Sequence, residues 1–354
     1  METQKNNRFL LNYNIFIPTY NRPGYLRRIL SYYDGYYQPF KIIVADSSPD
    51  DIKKINQKII SSFSHIQIKN LDHYPSNLNP HHKFADMVKY TDQPYCVICP
   101  DDDFIVPHGI ERSIKFLEKN SDFTCAHGKY MSFKYNIEKK EFYWQMIYPY
   151  KSIESDYAKE RFFSHLTEYY QTLYAVHRTG FMQMIYQELL ISKVDPMQFG
   201  ELLPDMLSLI YGKMKGLDVL YSVRQAESRV AYWPTLFEYM ETGKYDKEYL
   251  KFKNCLAIHL SKNSKLNEEE AKILINNAME QYLKKTRKND SVENISNIMK
   301  KIHLPSKFDE IFRNLYRKFA SEYDYNPWIT VNPPMEYIED FNRIRNHVLS
   351  YSKK

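Results

Sequence analysis

Three consecutive carboxylates, Asp101-Asp102-Asp103, follow the apolar stretch Tyr95-Cys96-Val97-Ile98-Cys99 with only Pro100 between them. Neighbouring like charges disfavour ionisation, and apolar surroundings lower the dielectric and sharpen the repulsion. A divalent cation shared with bound phosphate is a natural compensation, since Mg²⁺ and its relatives take carboxylate and phosphate oxygens together. The plainer alternative is an acidic loop that favours the start of the next helix. Two more polar clusters follow apolar runs in the same way. Asn21 and Arg22 come after Asn14-Ile15-Phe16-Ile17, and Asp46-Ser47-Ser48 comes after Lys41-Ile42-Ile43-Val44-Ala45. Further along, Glu201 and Asp205 stand four apart, a spacing that puts both carboxylates on one face of a helix.

The elements that would position these groups can be read from periodicity. The runs at 14–17, 41–45 and 95–99 have the length and β-rich character of buried strands, and 65–69 alternates as a further strand would. Pro23 can open a helix, where its missing N–H is not needed, and Leu26, Ile29, Leu30 and Tyr33 then mark one apolar stripe. Ile52, Ile55, Ile59 and Phe63 mark a second helix, Phe84, Met87 and Val88 a short third, and Ile110, Ile114 and Leu117 a fourth. This strand–helix alternation predicts an α/β fold, a mostly parallel central sheet with helices on both faces. Ligands of such sheets bind at the carboxyl ends of the strands, where Asn21, Arg22, Asp46 and the Asp triplet all fall.

From Phe123 to Tyr148 the pattern is antiparallel in character, and Leu173–His177 reads as another strand, with His177 and Arg178 at its end within reach of a diphosphate. Pro204–Lys213 reads as a helix with Lys213 and Lys215 as solvated cations at its end, and Leu217–Val223 as a strand. Arg224, Arg229, Tyr232 and Trp233 are candidates to bound an acceptor site. Beyond Trp233-Pro234 only helical stripes follow: Ile275, Met279 and Tyr282; Val292, Ile295, Met299 and Ile302; Phe308, Ile311, Phe312, Leu315 and Phe319; Ile338, Phe341, Ile344 and Val348. The expected division is therefore residues 1–235 as an α/β catalytic domain and 236–354 as an α-helical C-terminal subdomain.

Bulk composition narrows the classes of function. With 354 residues, of which 43% are hydrophobic, the chain can bury a sizeable core. No apolar run approaches the roughly 18 residues of a membrane span. The polar N-terminus lacks a signal-peptide core, so the expected location is cytoplasmic. Four cysteines do not make a disulfide framework. Cys96 and Cys99, three apart on a strand, should face opposite sides of the sheet and serve packing rather than metal or redox chemistry. The formal charge of +6 is interleaved with acids. That is unlike a nucleic-acid footprint, and it suits peripheral contact with the anionic inner face of the cytoplasmic membrane.

Taken together, Ile17-Pro18-Thr19-Tyr20-Asn21-Arg22-Pro23, Val44-Ala45-Asp46-Ser47-Ser48-Pro49-Asp50 and Pro100-Asp101-Asp102-Asp103 resemble the motifs of GT-A fold nucleotide-sugar glycosyltransferases of the inverting family 2 type. The likeness is to bacterial members that build surface polysaccharides such as capsule or O-antigen. It covers about the first 235 positions. The resemblance implies that Pro18, Thr19, Tyr20, Asn21 and Arg22 lie along the nucleotide, with Asp46 and Ser47 at its base or ribose. It implies an Asp-x-Asp signature within the triplet, with Asp101 and Asp103 on Mn²⁺ or Mg²⁺ and Asp101 or Asp102 at the ribose. It also places a catalytic base at the start of a late helix, which makes Glu201 and Asp205 the candidates, with Pro204 in the first turn. The implied donor is a nucleotide-diphosphate sugar, with UDP-sugar foremost, and the implied acceptor is a hydroxyl of a surface glycan. Association into oligomers is compatible with all of this.

Two rivals share parts of the pattern. A sugar nucleotidyltransferase also places acids after strands, but its phosphate loop is glycine-rich, whereas here the segment is Pro-Thr-Tyr-Asn-Arg-Pro in a chain with nine glycines. A non-catalytic carbohydrate-binding or assembly protein on the same scaffold would have little reason to keep clustered charge beside a core strand.

Overall fold

The computed structural model of the chain describes residues 13–36, 40–136, 141–148, 151–194, 199–226, 243, 246–301 and 335–351. At its centre lies β1 (Tyr13–Thr19), parallel to β2 (Phe40–Asp46) on one side and to β4 (Tyr95–Ile98) on the other. The strand β3 (Gln67–Leu71) extends the parallel set beyond β2. Past β4 the sheet becomes mixed, through β8 (Val176–Arg178), β6 (Phe123–Asn136), β9 (Lys213–Gln225) and β5 (Phe104–Ile105). The order is β3-β2-β1-β4-β8-β6-β9-β5, with β7 (Glu141–Tyr148) paired to β6. β6 runs antiparallel to β7 and β8 but parallel to β9, and β5 is antiparallel to β9.

Strand alternation sorts the apolar residues onto two faces. Ile15, Ile17, Ile42, Val44, Val97 and Cys99 point into one core, and Phe16, Ile43, Ala45, Cys96 and Ile98 into the other. Cys96 and Cys99 thus lie on opposite sides of the sheet, as their spacing requires, and all four cysteines are buried and free. Helix α1 (Pro23–Asp34) starts at Pro23 and buries Leu26, Ile29, Leu30 and Tyr33 against the first core. Helix α2 (Asp50–Ser61) has Asp50 and Asp51 in its first turn, where they meet the positive end of the helix dipole. Helices α3 (Pro80–Met87) and α4 (Pro107–Lys119) also open on proline and flank opposite faces.

The second core is covered by α5 (Ala158–Thr167), α6 (Thr179–Ser192) and α7 (Phe199–Tyr211), then by the C-terminal helices α8 (Asp246–Lys262) and α9 (Glu268–Lys301). The last helix, α10 (Ile338–Tyr351), returns to the first core, where Phe341 meets Phe142 and Trp144 edge-on. The helical C-terminal region is therefore spread over both faces of the sheet. No helix among the described residues is long and apolar enough to cross a membrane.

Several local expectations change. Helix α7 begins before Pro204, which sits inside the helix rather than in its first turn. Lys213 and Lys215 are on β9, not at a helix end. Lys213 pairs with Asp122 and Asp156, and Lys215 with Glu154. Residues 173–175 form a turn, so the strand there is only Val176–Arg178. The stripe from Phe308 to Phe319, the residues Arg229, Tyr232 and Trp233, and the boundary expected at 235 lie outside the described residues. So do the side chains of Val292, Ile295, Met299 and Ile302.

Helix α4, which follows the Asp triplet, is seated on β9 at Gly109. A Cβ there would lie 2.7 Å from the Leu220 carbonyl oxygen and 3.0 Å from the Tyr221 Cα. Helix propensity alone favours alanine over glycine by about 1 kcal/mol, but both contacts are backbone and cannot rotate away. Gly109→Ala is therefore expected to destabilise the fold by about 1–3 kcal/mol, the usual range for overpacking. A lowered denaturant midpoint checks this, and an unchanged midpoint would show that α4 can lift from β9.

Candidate active site

The loops leaving β1 and β2 are clasped together at the carboxyl edge of the sheet. Ser47 N–H donates to the Thr19 carbonyl at 3.2 Å, and Asn21 N–H donates to Ser48 Oγ at 2.8 Å. Asn21 adopts φ 54°, a left-handed conformation that Asn tolerates better than most residues. Asp46 is fully buried and accepts from Ser48 N–H and from Asn56 Nδ2, both at 2.8 Å. Beneath the two loops lies Lys83 of α3, whose ammonium donates to the Thr19 carbonyl and to Ser47 Oγ. Burial pulls its pKa down to about 8, against the attraction of Asp101 and Asp46. Tyr20 and Asn21 are exposed, while Pro18 and Arg22 are half-buried.

The Asp triplet is held by side chains from β1, from α1 and its entry, and from β9. Asp101 accepts from Thr19 Oγ1 at 2.6 Å and lies 3.5 Å from Arg22. Asp102 accepts from Arg22 Nη1 at 2.6 Å, and its backbone carbonyl accepts from Arg28 Nη2 at 2.8 Å. Asp103 accepts from Arg224 Nε and from the Gln225 N–H, both at 2.9 Å. The crowding of carboxylates is thus answered by the chain's own Arg22, Arg28, Arg224 and Lys83. Folding thus brings protein cations to the triplet beside the place where a divalent cation is expected. Compensation is still incomplete. Desolvation raises Asp101 to about 7 and Asp103 to about 6 despite these partners.

The donor chemistry fits a hard divalent cation: two buried carboxylates, Asp101 and Asp103, whose charged forms burial disfavours and a bound cation would stabilise. Among the described residues the triplet is not a three-carboxylate cage, since its oxygens do not all lie within 4.8 Å of one another. A cation there would take Asp101 or Asp103, or the two together with other oxygens.

The second acidic pair lies on α7 and faces the loop at 169–172. Tyr169 Oη is 2.7 Å from Glu201 Oε1 and 2.9 Å from Asp205 Oδ2. The single phenol proton of Tyr169 is thus directed at two carboxylates at once. Asp205 also accepts from Thr172 N–H at 3.0 Å and is 2% exposed. Desolvation, with the Glu201 charge beside it, raises Asp205 to about 7. Glu201 is more accessible, and it accepts from Gln171 Nε2 at 3.0 Å. Gln171 Oε1 in turn accepts from Arg224 Nη1 at 3.0 Å. A continuous chain, Asp103–Arg224–Gln171–Glu201–Tyr169–Asp205, joins the triplet to the pair.

His177 lies elsewhere. It is 1% exposed on β8, its Nε2 bonds the Thr172 carbonyl at 3.1 Å, and burial pulls its pKa down to about 4, which keeps the ring neutral. Arg28, Lys83, Tyr169 and Gln171 join the cluster without having been singled out from sequence. Arg28 alone left a trace there, as a charge beside the apolar stripe of α1. Arg224, a candidate for the acceptor site, reaches the triplet with Nε and Gln171 with Nη1.

The model of a known family, described as glycosyl transferase family 2, matches residues 14–191. Among solved structures the chain is similar to S. aureus TarS 1-349 in complex with UDP-GlcNAc, with TM-score 0.51 and 13% identity over 77% of this chain and 73% of that one. It is also similar to S. aureus TarS 1-349 in complex with UDP, with TM-score 0.48 and 12% identity over 97% and 89%. For S. aureus TarS itself the values are TM-score 0.41 and 12% identity over 77% and 55%. At such identities the likeness is one of fold, and that fold is GT-A. A comparison with the curated proteins finds no match.

Asp205 supplies a test of the electrostatics. Its pKa rises from 3.8 to about 7 on folding, so between those values the native state binds the proton more tightly than the unfolded chain. Stability then falls as pH rises through that window. The cost is absent below 3.8 and complete above about 7, with an upper bound of about 4 kcal/mol. Asp205→Asn, which keeps the shape without the charge, should raise the melting temperature more above this window than near its lower end. An equal effect at both ends would refute the buried ionisation.

Proposed function

The chain belongs to glycosyl transferase family 2 and is a glycosyltransferase; from this premise we propose that it moves a sugar from a UDP-sugar to a hydroxyl of a surface glycan acceptor, with inversion at the anomeric carbon. The observation that supports this reading is the bonded chain from Asp103 to Glu201, which joins the edge read here as holding the diphosphate to the carboxylate read here as the base. A fold relative solved with UDP-GlcNAc supports the choice of donor.

In this reading the uridine lies over the clasped loops at Pro18–Arg22 and Asp46–Ser48, with Asp102 toward the ribose. Asp46, fully engaged with Ser48 and Asn56, keeps the second loop in shape, and the exposed Tyr20 and Asn21 offer surface to the nucleotide. The first turn of α1 and the guanidinium of Arg22 face the diphosphate, whose charge grows as the glycosidic bond breaks. Asp101 and Asp103 would hold Mn²⁺ or Mg²⁺, which supplies electrostatic stabilisation of the leaving diphosphate when bound. Glu201 takes the acceptor proton, because it is the more accessible of the two α7 acids and Gln171 orients it. Asp205 and Tyr169 set the charge behind it. His177 acts at a distance, as a neutral buried brace for the Thr172 carbonyl. Work at the inner face of the cytoplasmic membrane suits both the acceptor and the net charge of +6.

Incubation with UDP-sugars and Mn²⁺ or Mg²⁺ should release UDP. Glu201→Gln should lower kcat about 10²–10⁴-fold with little change in donor KM, the usual weight of a general base. A larger loss in Asp205→Asn would transfer that role to Asp205. Separately, Asp103→Asn should cost about 10²–10³ in metal-dependent kcat, comparable to removing one stabilising group from a developing anion. Full turnover in that variant would remove Asp103 from the metal site.

A further inference from the structure

Away from the carboxyl edge of the sheet, α6, α7 and α8 meet around side chains that sugar transfer does not use. Glu188 of α6 and Cys255 and His259 of α8 each bring one ligand atom to within 4.8 Å of the others. Cys255 and His259 are four residues apart, so helical geometry places them on one face. They are 8% and 7% exposed, whereas the Glu188 side chain is 27% exposed and opens the group to solvent. His259 Nε2 is 3.2 Å from Glu188 Oε2. Its other nitrogen, Nδ1, is 2.6 Å from the hydroxyl of Tyr211 at the end of α7.

We propose that Glu188, Cys255 and His259 form a zinc site distinct from the sugar-transfer centre. A thiolate, an imidazole and a carboxylate are the donor types zinc takes at tetrahedral sites, and three protein ligands leave one position for water on the open side at Glu188. The contact between Glu188 and His259 needs no thiol, yet the thiol is the third atom of the group. Tyr211 occupies the place of an outer partner. By accepting the Nδ1 proton it would fix the tautomer that leaves Nε2 free for metal. Binding would release the thiol proton of Cys255 to solvent. It would also tie α6 to α8 directly and to α7 through Tyr211, so the folded chain should be stabilised by mass action.

The test uses the full chain, stripped of metal with a chelator and titrated with Zn²⁺ and, as an optical probe, Co²⁺. Zn²⁺ should raise the melting temperature, and Co²⁺ should give a thiolate-to-metal charge-transfer band. Both responses should survive in Asp103→Asn, which separates this site from the Asp triplet. Cys255→Ser should abolish the band. Glu188→Gln, a change at the exposed edge, should weaken zinc binding without altering the metal-free melting temperature. Tyr211→Phe should keep the band while weakening zinc by about 10-fold, the lower end of the usual outer-partner effect. The proposal is overturned if wild-type protein gives no thiolate band. It is equally overturned if the zinc-induced rise in melting temperature is the same in Cys255→Ser and Glu188→Gln as in wild type.

Discussion

Everything at the carboxyl edge of the sheet depends on holding Asp101, Asp102 and Asp103 together in a largely dehydrated place. Buried carboxylates of like charge are unfavourable neighbours, and the fold answers by recruiting cations from elements far apart in the chain. Arg22 comes from the entry to α1, Arg28 from its second turn, Lys83 from α3 and Arg224 from β9. Each is also tied to something else. Lys83 braces the first loop at the Thr19 carbonyl, and Arg28 reaches Gln225 and stacks against Tyr25 and Phe104. The edge is thus one electrostatic unit, and the shapes of the loops leaving β1 and β2 follow from it.

The short strand β5 is what brings the two halves of the site together. Phe104 and Ile105 pair with Val223 and Ser222 of β9, which sets Arg224 and Gln225 directly opposite Asp103. The same arginine then reaches Gln171, in the loop that faces α7, and through it Glu201. The triplet and the acidic pair are therefore joined by a few hydrogen bonds within the protein.

Much of the α/β frame was legible in the chain because its signals are local. Strands β1, β2 and β4 and helices α1 and α4 follow from apolar period and proline punctuation, and the parallel part of the sheet follows from their alternation. The match stops where local signals compete. Pro204 reads as a helix opener, yet the strongly apolar run from Phe199 carries the helix across it. Lys213 and Lys215 read as the frayed end of that helix, but pairing with β6 makes them strand residues. The helical stripes of the C-terminal third were visible as stripes, while the face each one covers was not.

By itself the sequence determined which residue types stand at the ends of which strands, because alternation and helix period are properties of neighbours in the chain. It therefore contained the triplet, the two loops and the acidic pair on α7. Only the tertiary structure decided what those groups touch. Arg224 meets Asp103 across 121 positions, and Arg28 meets Gln225 across 197. Such contacts are set by strand order and register, which no local periodicity encodes. The ionisation of the site follows from them, since burial and partner charge, not residue type alone, determine whether a carboxylate keeps its proton.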